Sequence, residues 1–167
     1  DVALVGEPTG MHPAVAEKGL MVLDGEIAGK SGHAARDEGE NAIYKALPMI
    51  ERLRSLSFPL TSAHLGPVKI SVTQISAGTQ HNVVPDMCRF VNDAPTTETY
   101  TNEQTLEMIR QAVPFCKLTP RSVRLRPSGI SEQHPIVRRL VIAGRKPFGS
   151  PTLSDQALMP FPSLKIG

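Results

Sequence analysis

The sequence predicts an α/β (α+β) fold: a four-stranded antiparallel sheet with two helices on one face, the split βαβ arrangement. Three patterns carry this expectation. Val68, Ile70 and Val72 alternate with Lys69, Ser71 and Thr73, the period of a strand with one wet face. Ile43, Ala46, Leu47, Ile50 and Leu53 recur at three and four residues, the period of one helical face. Thr101 followed by Gln104 spells a capping box ahead of Leu106, Ile109 and Val113, a second amphipathic helix. From Ala14 to Pro127 the order reads strand, helix, strand, strand, helix, strand.

Each element has its local signal. Val2–Val5 is an apolar run ended by Gly6 and Pro8, a buried strand already under way at the first residue. Leu20, Met21, Val22, Leu23 and Ile27 place a strand within Ala14–Ala28, with Gly25 a candidate bulge. The loop Gly29–Asp37 follows, then the helical pattern from Asn41. Pro48 interrupts that pattern, and an interior proline costs about 3 kcal/mol, so the sequence predicts a kink or a start nearer Pro48. Ser55–Pro67 reads as a turn-rich connector, and Gly78-Thr79 ends the alternating strand. Met87–Asp93 makes the third strand, Pro114 stops the second helix, and Lys117–Leu125 gives a basic fourth strand suited to a sheet edge. Beyond it, Ser131–Arg145 reads as a helix, Thr152–Met159 as a turn and short helix, and Leu164–Ile166 as a strand.

Composition narrows the function. A chain of 167 residues, 40% hydrophobic and 20% charged, can bury a real core. Its formal net charge of +2 is too small to make a polyanion the expected partner, and no apolar run approaches a bilayer-spanning length, so neither nucleic acid nor membrane is expected. Cys88 and Cys116 lie in apolar surroundings without a Cys or His at metal spacing, which fits reduced thiols and a cytoplasmic setting rather than a disulfide.

Among residues able to do chemistry, Glu7 falls in the turn beyond a strand's carboxyl end, the edge where open α/β sheets bind ligands. His33 sits in the glycine-rich stretch Gly29-Lys30-Ser31-Gly32-His33-Ala34-Ala35-Arg36, where an imidazole N–H can donate to an oxyanion; preorganised donors of that kind are worth ~3 to 4 kcal/mol. Asn82 closes a turn before Val83-Val84-Pro85. His12, His64, His81 and His134 are scattered without metal spacing and read as structural or surface residues. Gly29-Lys30-Ser31 fails as a phosphate loop, because the required upstream glycine is Asp24. Gly29-Lys30-Ser31-Gly32 fits an RNA-clamping Gly-X-X-Gly, but the few aromatics form no base-stacking cluster.

Taken together, Gly6-Glu7-Pro8-Thr9, its run into Glu17-Lys18-Gly19, the His33 loop, Gly39-X-Asn41-Ala42 and Asn82-Val83-Val84-Pro85 resemble the zinc-dependent N-acyl-amino-acid amidohydrolases and metallopeptidases. These include acetylornithine deacetylase, succinyl-diaminopimelate desuccinylase, aminoacylases and carboxypeptidases. The resemblance implies a fragment centred on a ferredoxin-like dimerisation lid over 14–128. Residues 1–13 would be a catalytic-domain edge strand with its metal-ligand turn, and 129–167 a truncated return into that domain. It further implies Glu7 as a metal ligand, His33 as a catalytic oxyanion donor acting across a homodimer, Asn82 as a substrate contact, and two zinc ions in a parent that deacylates small N-acyl amino acids. Two departures stand against full activity. Pro95 replaces the arginine expected to grip a substrate carboxylate, and there is no His-X-Asp or adjacent Glu-Glu to complete the metal site. The piece alone is therefore expected to be inactive. The alternatives are a non-catalytic homodimerisation module and, less well supported, an RNA-binding module.

Overall fold

The computed structural model describes residues 1–36 and 38–167, so Asp37, the last residue of the expected Gly29–Asp37 loop, lies outside the described residues. In chain order it contains β1 (Ala3–Gly6), β2 (Ala14–Glu17), β3 (Gly19–Ala28), β4 (Gly32–His33), α1 (Ala42–Ser55), β5 (Thr61–Ser62) and β6 (Gly66–Pro67). Next come β7 (Ser71–Ala77), β8 (Val83–Val84), β9 (Met87–Thr96), α2 (Asn102–Ala112), β10 (Lys117–Pro120) and β11 (Ser128–Gly129). The chain finishes with α3 (Pro135–Ile142), β12 (Phe148–Ser150), a 3₁₀ turn (Asp155–Leu158) and β13 (Ser163–Ile166).

The main sheet is four-stranded and antiparallel throughout, in the order β10-β3-β9-β7. Alternate residues of β3 and β9 are buried on the face that α1 and α2 cover. Met21, Leu23, Ile27 and Phe90 from the strands meet Ala46, Met49 and Leu53 of α1 and Leu106 and Ile109 of α2. Each fully buried large side chain of this kind contributes roughly 1.5 to 3 kcal/mol, so this layer holds the split βαβ unit together. The expected fold is the observed one.

A second, smaller sheet joins the two ends of the chain. β1 runs parallel to β13, which pairs with β2, and β2 also takes β11 and β12. α3 closes it over Val15, Ile130, Val137 and Leu164.

Local differences from expectation have local causes. Ala14–Ala28 is two strands, not one: β2 belongs to the small sheet and β3 to the main sheet, a change of partner that hydrophobic periodicity cannot register. Gly25 makes no bulge. It pairs in register with Phe90, whose ring lies where a Gly25 side chain would be. The first helix neither starts at Pro48 nor ends before it. The Asn41 side chain accepts the Ile43 N–H at 2.9 Å, capping α1, and Ala42, Ala46, Met49 and Leu53 bury its inner face. Pro48 lies on the exposed face, so packing outweighs its lost bond. The 55–67 connector contains the β5–β6 hairpin. β7 begins at Ser71, because Val68 and Ile70 are drawn into the core before strand pairing starts. β10 stops at Pro120, which has no N–H for the ladder. α3 is only eight residues long, begun by His134 and Pro135.

Candidate functional site

The His33 loop is built by close backbone approach. After β3, the Gly29 N–H donates to the Asp86 carbonyl at 2.8 Å, and Lys30 and Glu40 exchange two backbone bonds, each 2.8 Å. Gly39 has φ +88°, and a side chain there would come within 2.6 Å of the Lys30 carbonyl. A side chain on Gly29 would run into the backbones of Glu40 and Pro85. These glycines are a steric requirement of the loop, not a phosphate cradle.

Within that frame Gly32 pairs with Val84 and His33 with Val83, a short antiparallel ribbon of β4 and β8. The Ala34 N–H donates to the Asn82 carbonyl at 2.9 Å. His33 and Asn82, distant in sequence, are therefore neighbours, and both are exposed. The His33 ring accepts the Ala35 N–H at Nδ1, 3.2 Å. The ribbon abuts the start of α1, where the Ala42 N–H donates to the Pro85 carbonyl at 2.9 Å. An open groove of about 470 Å³ runs beside it, lined by Ala34, Asn41, Ile43 and the turn carrying Thr79 and His81. The ribbon thus brings the backbones of His33 and Asn82 together beside this groove, with both residues exposed.

Glu7 lies on the other sheet. It follows β1, half-buried, at the carboxyl end of the parallel β1–β13 pair. Gly167 packs against its backbone, and the Gly167 carbonyl accepts the Thr9 and Met11 N–H groups at 2.6 and 3.0 Å. Among the described residues no three His, Cys, Asp or Glu side chains converge so as to hold a metal ion. Glu7 can offer one carboxylate and no more.

The remaining histidines do structural work where they are bonded. His12 accepts the Lys146 N–H at 2.9 Å, His64 contacts Glu132 at 2.8 Å, and His134 caps α3. Pro95 sits on β9 opposite Leu20, while Arg89 donates to Glu26 at 3.2 Å on the open face of the sheet. Neither supplies a carboxylate clamp beside the ribbon.

Sequence reading missed a buried charged network in the small sheet. Glu17, 0% exposed, meets the Lys165 ammonium at 2.8 Å. Its carboxylate also accepts from the Ser154 N–H at 2.8 Å, the Ser154 hydroxyl at 2.8 Å and the Gln156 amide at 3.0 Å. Lys165 donates further to the Thr152 carbonyl at 3.0 Å. The signal was a charge within each of two short, mainly apolar strands, and their pairing is set by topology.

Residues 15–114 match the family described as the peptidase dimerisation domain. An acetylornithine deacetylase of Myxococcus xanthus is 35% identical over 119 residues, covering 65% of this chain and 31% of that protein. Among solved structures, a tripeptidase from Staphylococcus aureus superposes with TM-score 0.68 at 17% identity, over 93% of this chain and 44% of that one. A Bacillus subtilis protein described as a dinuclear metal binding peptidase of the M20 family superposes with TM-score 0.60 at 13% identity, over 99% of this chain and 46% of that one. At such identities the likeness to the solved structures is one of fold. The chain spans about a third of the deacetylase and under half of each of these two structures.

Proposed function

The chain belongs to the peptidase dimerisation-domain family, and from that premise we propose that it serves as the dimer-forming lid of a metal-dependent hydrolase that removes the acyl group from an N-acyl amino acid. The observation that carries this reading is the ribbon: His33 and Asn82 stand together and exposed on a loop fixed by its own backbone. An amide carbonyl under attack develops negative charge on oxygen, and the His33 N–H is the donor for it. Asn82 holds the substrate beside it through its carboxamide. The acetylornithine deacetylase relative supports a deacylase over a peptidase, and the substrate proposed is acetylornithine or a succinylated counterpart.

The described residues do not by themselves make a two-metal site. Glu7 would supply one carboxylate to a zinc pair completed by residues outside this chain, and the division into 1–13, 14–128 and 129–167 follows from that reading. Alone, the chain acts as a homodimerisation module. A dimer is supported by β7, one of the main sheet's two edge strands, whose Ile75 is 56% exposed, and by Tyr44 and Leu47 on the neighbouring α1, 71% and 56% exposed. Unpaired strand edges flanked by apolar side chains are surfaces for a second chain.

In the assembled enzyme, His33→Ala is expected to lower kcat by about 10² or more with the dimer intact. Undiminished turnover by that variant would remove the oxyanion role.

A further inference from the structure

We propose that the Ala35 backbone amide is a positioning group for His33, holding the ring as the single neutral tautomer with its proton on Nε2. In a neutral imidazole one nitrogen donates and the other accepts. The Ala35 N–H points at Nδ1, 3.2 Å away, so Nδ1 is the acceptor and the proton lies on the nitrogen at the far side of the ring.

The surrounding backbone leaves Ala35 for this task. On one side of it the Ala34 N–H is taken by the Asn82 carbonyl at 2.9 Å. On the other, the Arg36 N–H closes a turn onto the His33 carbonyl at 2.9 Å. Among the described residues the Ala35 N–H makes no backbone bond; its partner is the ring. His33 itself is fixed by pairing with Val83, and the loop beneath is locked by the Lys30–Glu40 bridge. Two alanines directly follow the histidine, and the His33 side chain stays exposed. The result is a donor aimed outward by a framework in place before any ligand arrives. That the donor serves an oxyanion rests on the reading of His33 given above; the tautomer does not.

The test is ring nitrogen-15 NMR on the whole chain, compared with Ala35→Pro, which removes the N–H, and Ala35→Gly, which keeps it. The wild type and Ala35→Gly are expected to show one Nε2–H species. Ala35→Pro is expected to show the averaged shifts of a freely exchanging ring. Averaged shifts or an Nδ1–H species in the wild type overturn the proposal, as does an Ala35→Pro ring identical to wild type. Should Ala35→Pro fail to fold, the wild-type spectrum decides alone. A His33→Ala variant with full turnover defeats the catalytic reading but has no bearing on the wild-type ring spectrum, so the two failures are separable.

Discussion

At the scale of single residues, two side chains have chemistry set by their neighbours. Cys116 lies partly buried, and burial pushes its thiol up to about 11; burial also raises Cys88. A thiolate is the reactive form, so both should resist alkylation. At pH 8, iodoacetamide is expected to modify the folded chain far more slowly than free cysteine, with the rate recovering on denaturation; equal rates would contradict the burial. Cys88 pairs with Ile27 of β3 from β9, Cys116 lies just before β10, and both are free thiols. Asp24 shows the opposite effect. The Arg121 guanidinium donates two hydrogen bonds to it, at 2.9 and 2.8 Å, and holds its carboxyl below the ordinary 3.8. A depressed folded value means that this pair's stabilisation is present above the ordinary carboxylate range and is lost as pH falls through the folded value. Arg121→Ala should raise the Asp24 titration midpoint seen by NMR toward 3.8, with little change in stability at pH 7, since the pair is solvent-exposed.

At the scale of elements, the small sheet depends on a charge pair and the main sheet does not. Glu17 on β2 and Lys165 on β13 neutralise each other in the interior, and together they tie down the turn bearing Thr152, Ser154 and Gln156. Removing one partner leaves a buried charge uncompensated, which costs ~3 to 5 kcal/mol. Lys165→Met is therefore expected to lower the unfolding free energy by about that amount in denaturant titration. A loss no larger than that of an exposed lysine would show that the pair contributes nothing. The elements themselves were largely legible in the sequence. The capping box at Thr101 is present with both of its bonds, the Asn41-led helix runs to Ser55, and the order of strands and helices is the one their periodicity spells. Illegible was whatever depended on tertiary partners. The split of β2 from β3, the persistence of α1 through Pro48, and Phe90 filling the place of a Gly25 side chain are each decided by what packs alongside.

At the scale of the whole molecule, the two sheets divide the candidate site. Glu7 lies at the end of the parallel β1–β13 pair, while His33 and Asn82 stand on a ribbon that leaves the main sheet beyond β3. The sequence made all three visible as residue types in suggestive loops. It could not show that Asn82 and His33 share a ribbon, because their contact runs through backbone bonds between Ala34 and Asn82. In the proposed dimer, the β7 edge and the exposed apolar side chains beside it would pair two copies, and one copy's ribbon would serve the metal site of its partner. The most direct measurement uses mixed dimers of the assembled enzyme, co-expressed from one His33→Ala and one Glu7→Ala copy, each inactive as its own homodimer. Recovery of turnover in the mixed dimer is the predicted result, since one site then combines an intact Glu7 with an intact His33 from the other copy. Mixed dimers as inactive as their parents would place His33 and Glu7 in the same protomer's site and contradict it.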